Sequence, residues 1–448
     1  MLLAARYVLP VSLPHIEYGA VLVRDGKIVE IGESAAMRAA HPEEEVRDFG
    51  QSALMPGFVD LHNHLEYAAM RGLVDDLPYA RWKLQLKERE SRFALGDWDD
   101  SALLGVMEAI RSGITTVADT TNTGASLRAI QQAGLRAFVY REVATMHKSR
   151  IGDVMASADE DLAEWGSSAD PELVTRGISP HAAYSCHPEL YRAVAEYATE
   201  RDMPITTHLA GSREEWEFVK YGSSPLAKEY RDRWGDEIPW LPTGVSPVRY
   251  VLQWGLFDAP NVLAVHCTQV DDADLEILRS RDIAVAFCPR CNAKLGMGIA
   301  PVRKMLHAGM RVGIGTDSPA MTNNLDVFDE MRVGLLLQRA VDAHQQFHNA
   351  RKFVKLATYD AVRALRAHDR LGSLEPGKAA DIIAVDLSRS HQLPTQYPYS
   401  ALVHSANQDN VMMTMVGGRV LFENGEWLTL DTERIRARSE ELRVQLTA

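Results

Sequence analysis

The spacing of hydrophobic and polar positions changes twice along the chain. Near the start, Val21-Leu22-Val23-Arg24 and Lys27-Ile28-Val29-Glu30-Ile31 flank Asp25-Gly26. Two β-prone runs joined by Asp-Gly predict a hairpin. The far end has the same texture: Asp381-Ile382-Ile383-Ala384-Val385, then Val411 to Met415, a Gly417-Gly418 turn, Val420-Leu421-Phe422 and Asn424-Gly425. Both ends are β-rich and can share one small sheet domain. Between them, short apolar runs alternate with helical stretches: Thr115 to Ala118, Ala137 to Tyr140, Ile205 to Thr207, Val262 to Val265, Ile283 to Ala286 and Val312 to Ile314. Alternation of buried strand and helix is the pattern of βαβ units and a parallel sheet. Spread over roughly 300 residues, it predicts a closed (β/α)8 barrel, an α/β fold, rather than an open sheet. Glu433 to Leu446 reads as a charged, exposed terminal helix, and no internal repeat is visible.

Composition narrows the partners. Of 448 residues, 46% are hydrophobic and 24% charged, which is ordinary for a folded globular chain. The formal charge of −13 leaves no basic footprint for nucleic acid, so a small-molecule substrate is expected. Four cysteines are too sparse for a disulfide scaffold, and reduced thiols in a cytoplasmic setting are the economical reading. Met1 to Pro10 lacks the features of an export signal, and no uncharged apolar run reaches the roughly 18 residues that cross a bilayer.

A barrel of this type builds its active site at the C-terminal ends of its strands, and five positions there carry chemistry. Pro56-Gly57-Phe58-Val59-Asp60-Leu61-His62-Asn63-His64 ends an apolar run with two imidazoles two residues apart, which point the same way in an extended chain. His208 closes Ile205 to Thr207, His266 closes Leu263 to Val265, and Asp317 closes Val312 to Thr316. Each alone is an ordinary loop-edge residue. Together, imidazoles plus a carboxylate suit one divalent metal, zinc or iron, with an open position for water. Such a metal lowers the pKa of bound water to about 7, and a nearby carboxylate can take its proton.

His62-Asn63-His64, Ser179-Pro180-His181-Ala182-Ala183-Tyr184, Thr207-His208-Leu209, Val265-His266-Cys267 and Gly315-Thr316-Asp317-Ser318 resemble the amidohydrolase superfamily, in its branch of mononuclear-metal aminohydrolases and chlorohydrolases. The likeness spans nearly the whole chain. It implies a barrel over 56–372 and a small β-sandwich built from 1–55 and 373–448, the latter with the C-terminal helix. It also implies His62, His64, His208 and Asp317 as metal ligands, with zinc the leading metal, and Asp317 as the base. His266 would contact the attacking water or the atom under attack. His181 would touch the substrate. Apart from the resemblance, Glu66, four residues after His62, and Trp82 are expected to line the pocket. Family members are often dimers, so a homodimer is one expected assembly. Cys288-Pro289-Arg290-Cys291-Asn292, Leu295-Gly296 and Ser246-Pro247-Val248-Arg249-Tyr250 are similar to the aminofutalosine deaminases and their kin acting on thiomethyl- or homocysteinyl-adenosine. A hydrolase of a non-peptide C–N bond, deaminating a purine- or nucleoside-like substrate, is the implied activity.

One departure matters. In those deaminases a glutamate three residues after the strand-five histidine shuttles protons to the ring nitrogen and the leaving ammonia; here that place is Gly211. General acid help of this kind is worth about 10²–10⁴ in rate. An amide, urea, carbamate or chloro-heterocycle substrate is the alternative, and an inactive metal-binding homologue is a third reading. Glu214, Glu215, His181 and His266 are the local candidates to replace the acid, although Ser212 to Glu215 also reads as a capping box. The Cys288-x-x-Cys291 pair has the spacing of half a zinc site or a redox pair, but without a second pair buried inert thiols are the expectation, as for Cys186 and Cys267.

Overall fold

The computed structural model describes residues 1–234, 241–341 and 348–447. Eight parallel strands form the central sheet in chain order: Phe58–Asn63, Ile114–Thr121, Arg136–Val143, Val174–Pro180, Ile205–Leu209, Val262–His266, Ala284–Phe287 and Val312–Ile314. Every residue of the sixth and seventh strands is buried, which explains why the sequence shows the continuous apolar runs Val262–Val265 and Ala284–Phe287 there instead of alternation. The fourth strand has no such run. Its Gly177 lets the third and fifth strands close in, because a Cβ there would lie 2.5 Å from the Tyr140 ring and 2.6 Å from the Pro204 carbonyl.

The first and last strands meet through a buried carboxylate. Asp60 accepts from the Thr316 amide at 2.8 Å, the Thr316 hydroxyl at 2.5 Å and Asn63 Nδ2 at 2.7 Å, while the Asp317 amide donates to the His62 carbonyl at 2.9 Å. The barrel is thereby closed at the end where the chemistry-bearing residues sit.

The two termini share a second, nine-stranded mixed sheet. Leu2–Val8, Ile16–Arg24 and Lys27–Glu33 form its N-terminal arm, with the predicted hairpin turning at Asp25 and Gly26, both at positive φ. Ser52–Pro56 then pairs antiparallel with Ile382–Asp386, placing Leu54 opposite Ala384, and Val411–Val416 and Arg419–Glu423 follow outward. Leu3, Val21, Val23, Ile382, Met413 and Met415 pack into an apolar layer separate from the barrel core. Sheet and barrel are joined by a bidentate pair in which Arg136 donates to both oxygens of Asp381, at 2.6 and 3.1 Å, and the Gly417 amide adds a third bond at 2.7 Å. Thr432–Thr447 is the terminal helix, anchored by Ile435, Leu442 and Leu446. Among the described residues no helix is long and apolar enough to cross a membrane.

Candidate metal centre and active site

The imidazoles of His62, His64 and His208 converge at the C-terminal end of the barrel. His62 lies at the end of the first strand and His64 just past it, while His208 is the penultimate residue of the fifth. Backbone carbonyls set two of the tautomers. His64 Nδ1 lies 3.1 Å from the Thr120 carbonyl and His208 Nδ1 lies 2.9 Å from the His181 carbonyl. A carbonyl only accepts, so both Nδ1 atoms carry the proton and both Nε2 atoms are bare. Yet His208 Nε2 faces His64 Nε2 at 3.4 Å and His62 Nε2 at 3.2 Å. The bare lone pairs of His64 and His208 at that separation repel unless a cation stands between them. Burial, reinforced by the neighbouring imidazoles, holds the His62 and His208 pKa values well below the usual histidine range, so both rings are neutral at pH 7.

Asp317 completes the arrangement. Its Oδ1 is 3.7 Å from His62 Nε2 and accepts from the Ser318 amide at 2.6 Å. Its Oδ2 is buried with no hydrogen-bond partner among the described residues and lies 3.8 Å from His266 Nε2. The donor set, three imidazoles and a carboxylate with an unsatisfied buried oxygen, fits a divalent cation of the zinc or iron type. Backbone strain marks the same places: Ala210, His266 and Asp317 have φ of 48°, 74° and 61°. Non-glycine residues rarely adopt such values, and they concentrate at functional sites.

Above these residues lies a cavity of about 360 Å³ lined by His64, Tyr67, Trp82, Lys83, Glu142, His181, His208, His266, Ser318 and Met321, among others. Its size is that of a small-molecule site. The helix Tyr79–Glu90 lines it with Leu84 and with Tyr79, Trp82, Lys83, Leu86, Lys87 and Glu90, the latter six at the i, i+3, i+4 spacing of one helical face. Trp82 is fixed by its indole N–H donating to the Val74 carbonyl at 3.0 Å.

Glu66 is corrected by the structure. It does not line the cavity; its carboxylate accepts from the Thr121 hydroxyl at 2.6 Å, the Asn122 amide at 3.0 Å and the Thr123 hydroxyl at 2.7 Å, bracing the loop after the second strand. Glu215 is likewise turned away. The Ser212 hydroxyl caps its helix by accepting from the Glu215 amide at 3.1 Å, but the Glu215 carboxylate reaches back to the Ala210 and Gly211 amides at 3.0 and 2.8 Å. Burial pushes that carboxyl up to about 7. Glu214 does not line the cavity either. All four cysteines are buried free thiols, their pKa values raised by burial.

Three residues of the site were not singled out from sequence. Asp60 lies two residues before His62 in the middle of the first strand, where nothing local hints that it will bridge to the last strand. Lys83 and Glu142 line the cavity, and only the helical spacing from Trp82 would have pointed to Lys83.

Comparison with known proteins agrees with this architecture. Residues 53–421 match the Amidohydrolase family, and residues 19–43 match an Imidazolonepropionase-like composite domain of bacteria. The chain is 32% identical over 432 residues to a 5-methylthioadenosine/S-adenosylhomocysteine deaminase of Moorella thermoacetica, covering 96% of each protein. Among solved structures it is similar to an adenosine deaminase from Xanthomonas campestris with bound zinc, with a TM-score of 0.85, 28% identity and coverage of 100% of this chain and 98% of that one. It shares its fold with an atrazine chlorohydrolase from Arthrobacter aurescens complexed with zinc, with a TM-score of 0.84, 24% identity and 99% of each chain covered. The chain belongs to the amidohydrolase family.

Proposed function

We propose that the chain is a metal-dependent aminohydrolase that removes the amino group of a purine nucleoside such as 5′-methylthioadenosine or S-adenosylhomocysteine. His62, His64, His208 and Asp317 would hold one zinc ion. The observation that carries the reading is the convergence of the three imidazoles, with Asp317 Oδ1 3.7 Å from His62 Nε2, beneath a small-molecule cavity, in a chain 32% identical across 96% of its length to a deaminase of that name. Bound there, the metal supplies Lewis acidity and lowers the pKa of a coordinated water. The protein residues do the rest. Asp317 takes a water proton, and its unsatisfied Oδ2 beside His266 is the oxygen free to do so. His266, whose Nε2 lies 3.8 Å from that oxygen, orients the attacking oxygen. Trp82 and His181 wall the cavity beside the substrate ring.

Gly211 favours a second reading, hydrolysis of an amide, urea or carbamate, because an acyl carbon makes less demand on a ring-nitrogen acid. Ammonia release from 5′-methylthioadenosine, S-adenosylhomocysteine and adenosine by the zinc-loaded full chain, with metal content measured alongside, separates the two. Ammonia with one zinc per chain supports the first reading. Silence on all three nucleosides, with turnover of a simple amide or ureide, overturns it.

A further inference from the structure

The cavity wall holds a cation with no assigned role. Lys83 Nζ lies 2.8 Å from His181 Nε2, and His181 Nδ1 lies 2.5 Å from the Ser185 hydroxyl, which donates to the Ala182 carbonyl at 3.2 Å. These bonds have one direction. The Ala182 carbonyl only accepts, so Ser185 spends its proton there and accepts from His181 Nδ1–H; His181 Nε2 is then bare and accepts from the Lys83 ammonium. The His181 ring in turn packs 5.0 Å from the His208 ring, centroid to centroid. Lys83 is therefore held at the cavity wall with protons to give, one ring away from the metal ligands.

The carboxyl expected for proton delivery has no room. At Gly211 an added Cβ would sit 2.9 Å from His266 Cδ2 and 3.2 Å from Met297 Cε, and Glu215 is engaged with backbone amides. We propose that Lys83 is the proton donor to the substrate's ring nitrogen, in the role left empty by Gly211, and that His181 is the positioning residue that aims its ammonium. This rests on the deaminase reading.

In the step so assigned, a C–O bond forms at the carbon bearing the amino group, and one water proton passes to Asp317. The C=N electron pair moves to the ring nitrogen, which takes a proton from Lys83 Nζ. The bond to the amino group then breaks, and that nitrogen leaves with the electron pair and the Asp317 proton as ammonia. The second water proton restores the Lys83 ammonium through solvent. Burial lowers the Lys83 pKa, opposed by Glu142, Glu90 and Asp317 and assisted by Lys87, which brings the ammonium closer to the range useful for an acid at neutral pH.

The test uses the zinc-loaded full chain, 5′-methylthioadenosine, and the variants Lys83→Met and Lys83→Arg. The expected result is a fall in kcat of about 10²-fold or more in Lys83→Met, within the usual range for a general acid, with KM nearly unchanged. Lys83→Arg does not restore the rate, since a guanidinium keeps its proton. The alkaline limb of the kcat–pH profile disappears in both variants. Independently of turnover, reductive methylation of the wild type across pH, read on the Lys83 peptide by mass spectrometry, shows half-reaction below the ordinary lysine value of about 10.4. A Lys83 peptide that titrates at that ordinary value overturns the inference. So does rescue by Lys83→Arg, or a rise in KM at constant kcat, either of which makes Lys83 an anchor for an anionic group. Wild type that releases no ammonia overturns the deaminase reading itself, whereas active wild type with an equally active Lys83→Met overturns only the role of Lys83. Zinc content read on each variant separates loss of the donor from loss of the metal.

Discussion

Restoring the missing side chain at position 211 should damage the enzyme rather than improve it. The residue has no positive φ, so the backbone accepts a side chain and only space opposes one. An added Cβ would stand 2.9 Å from His266 Cδ2, against a comfortable carbon contact of about 3.5 Å. The ring must then retreat by about 0.6 Å, the difference between those two values. It cannot do so freely, because His266 stacks on His208 with centroids 5.7 Å apart and its Nε2 faces Asp317 at 3.8 Å. Overpacking of this kind costs about 1–3 kcal/mol. Misplacing a catalytic group by about 1 Å can cost 10²-fold in rate, so a shift of roughly half that predicts a loss on the order of tenfold for Gly211→Ala. Gly211→Glu should lose at least as much. Thermal unfolding and kcat on 5′-methylthioadenosine, measured for both variants with zinc content, check this. Wild-type stability and rate in Gly211→Ala, or faster deamination in Gly211→Glu, would refute the packing argument and reopen the position to a carboxyl.

Other outcomes follow from the same geometry. His208→Ala should lose both zinc and activity while remaining folded, and full metal occupancy by elemental analysis would contradict the ligand set. Asp317→Asn should cut turnover by about 10²-fold or more, since an amide takes no proton from water; a rate within about tenfold of wild type would remove Asp317 from that role. Glu215→Gln keeps only one acceptor for the two amides it now braces, costing about 1–3 kcal/mol of stability with kcat little changed. Because burial raises the Glu215 carboxyl to about 7 from an unfolded value near 4.3, folding favours its protonated form. Its contribution is thus fully present below about pH 4.3 and lost as pH rises through about 7, so the Gln variant should show a flatter stability profile across that window. A large rate loss in Glu215→Gln at unchanged stability would return Glu215 to proton transfer.

How far the sequence could be read depended on how local each signal was. The Asp25-Gly26 hairpin is legible because its turn requires positive φ at adjacent positions and its strands are contiguous. The buried barrel strands are legible for the same local reason, while Val174–Pro180 escapes because Thr175, Arg176 and Gly177 interrupt any apolar run. His62, His64, His208 and Asp317 each end a recognisable run, and the structure brings the three imidazoles together with Asp317 Oδ1 3.7 Å from His62 Nε2. Glu66 was misread because proximity to His62 in sequence says nothing of the loop hydroxyls that claim its carboxylate. Asp60, Lys83 and Glu142 were hidden because their significance lies in partners over a hundred residues away or across a cavity.

The pairing of Ser52–Pro56 with Ile382–Asp386 sets an order of events during synthesis. At about 5–20 residues per second, the roughly 330 residues between the two strands take on the order of 16–65 s to emerge. Throughout that interval the N-terminal arm has an unpaired sheet edge and an apolar layer missing half its members, the kind of surface that recruits other chains. A nascent chain arrested before residue 380 should therefore bind chaperones through its first 56 residues even if its barrel has begun to form, and release should await the C-terminal strands.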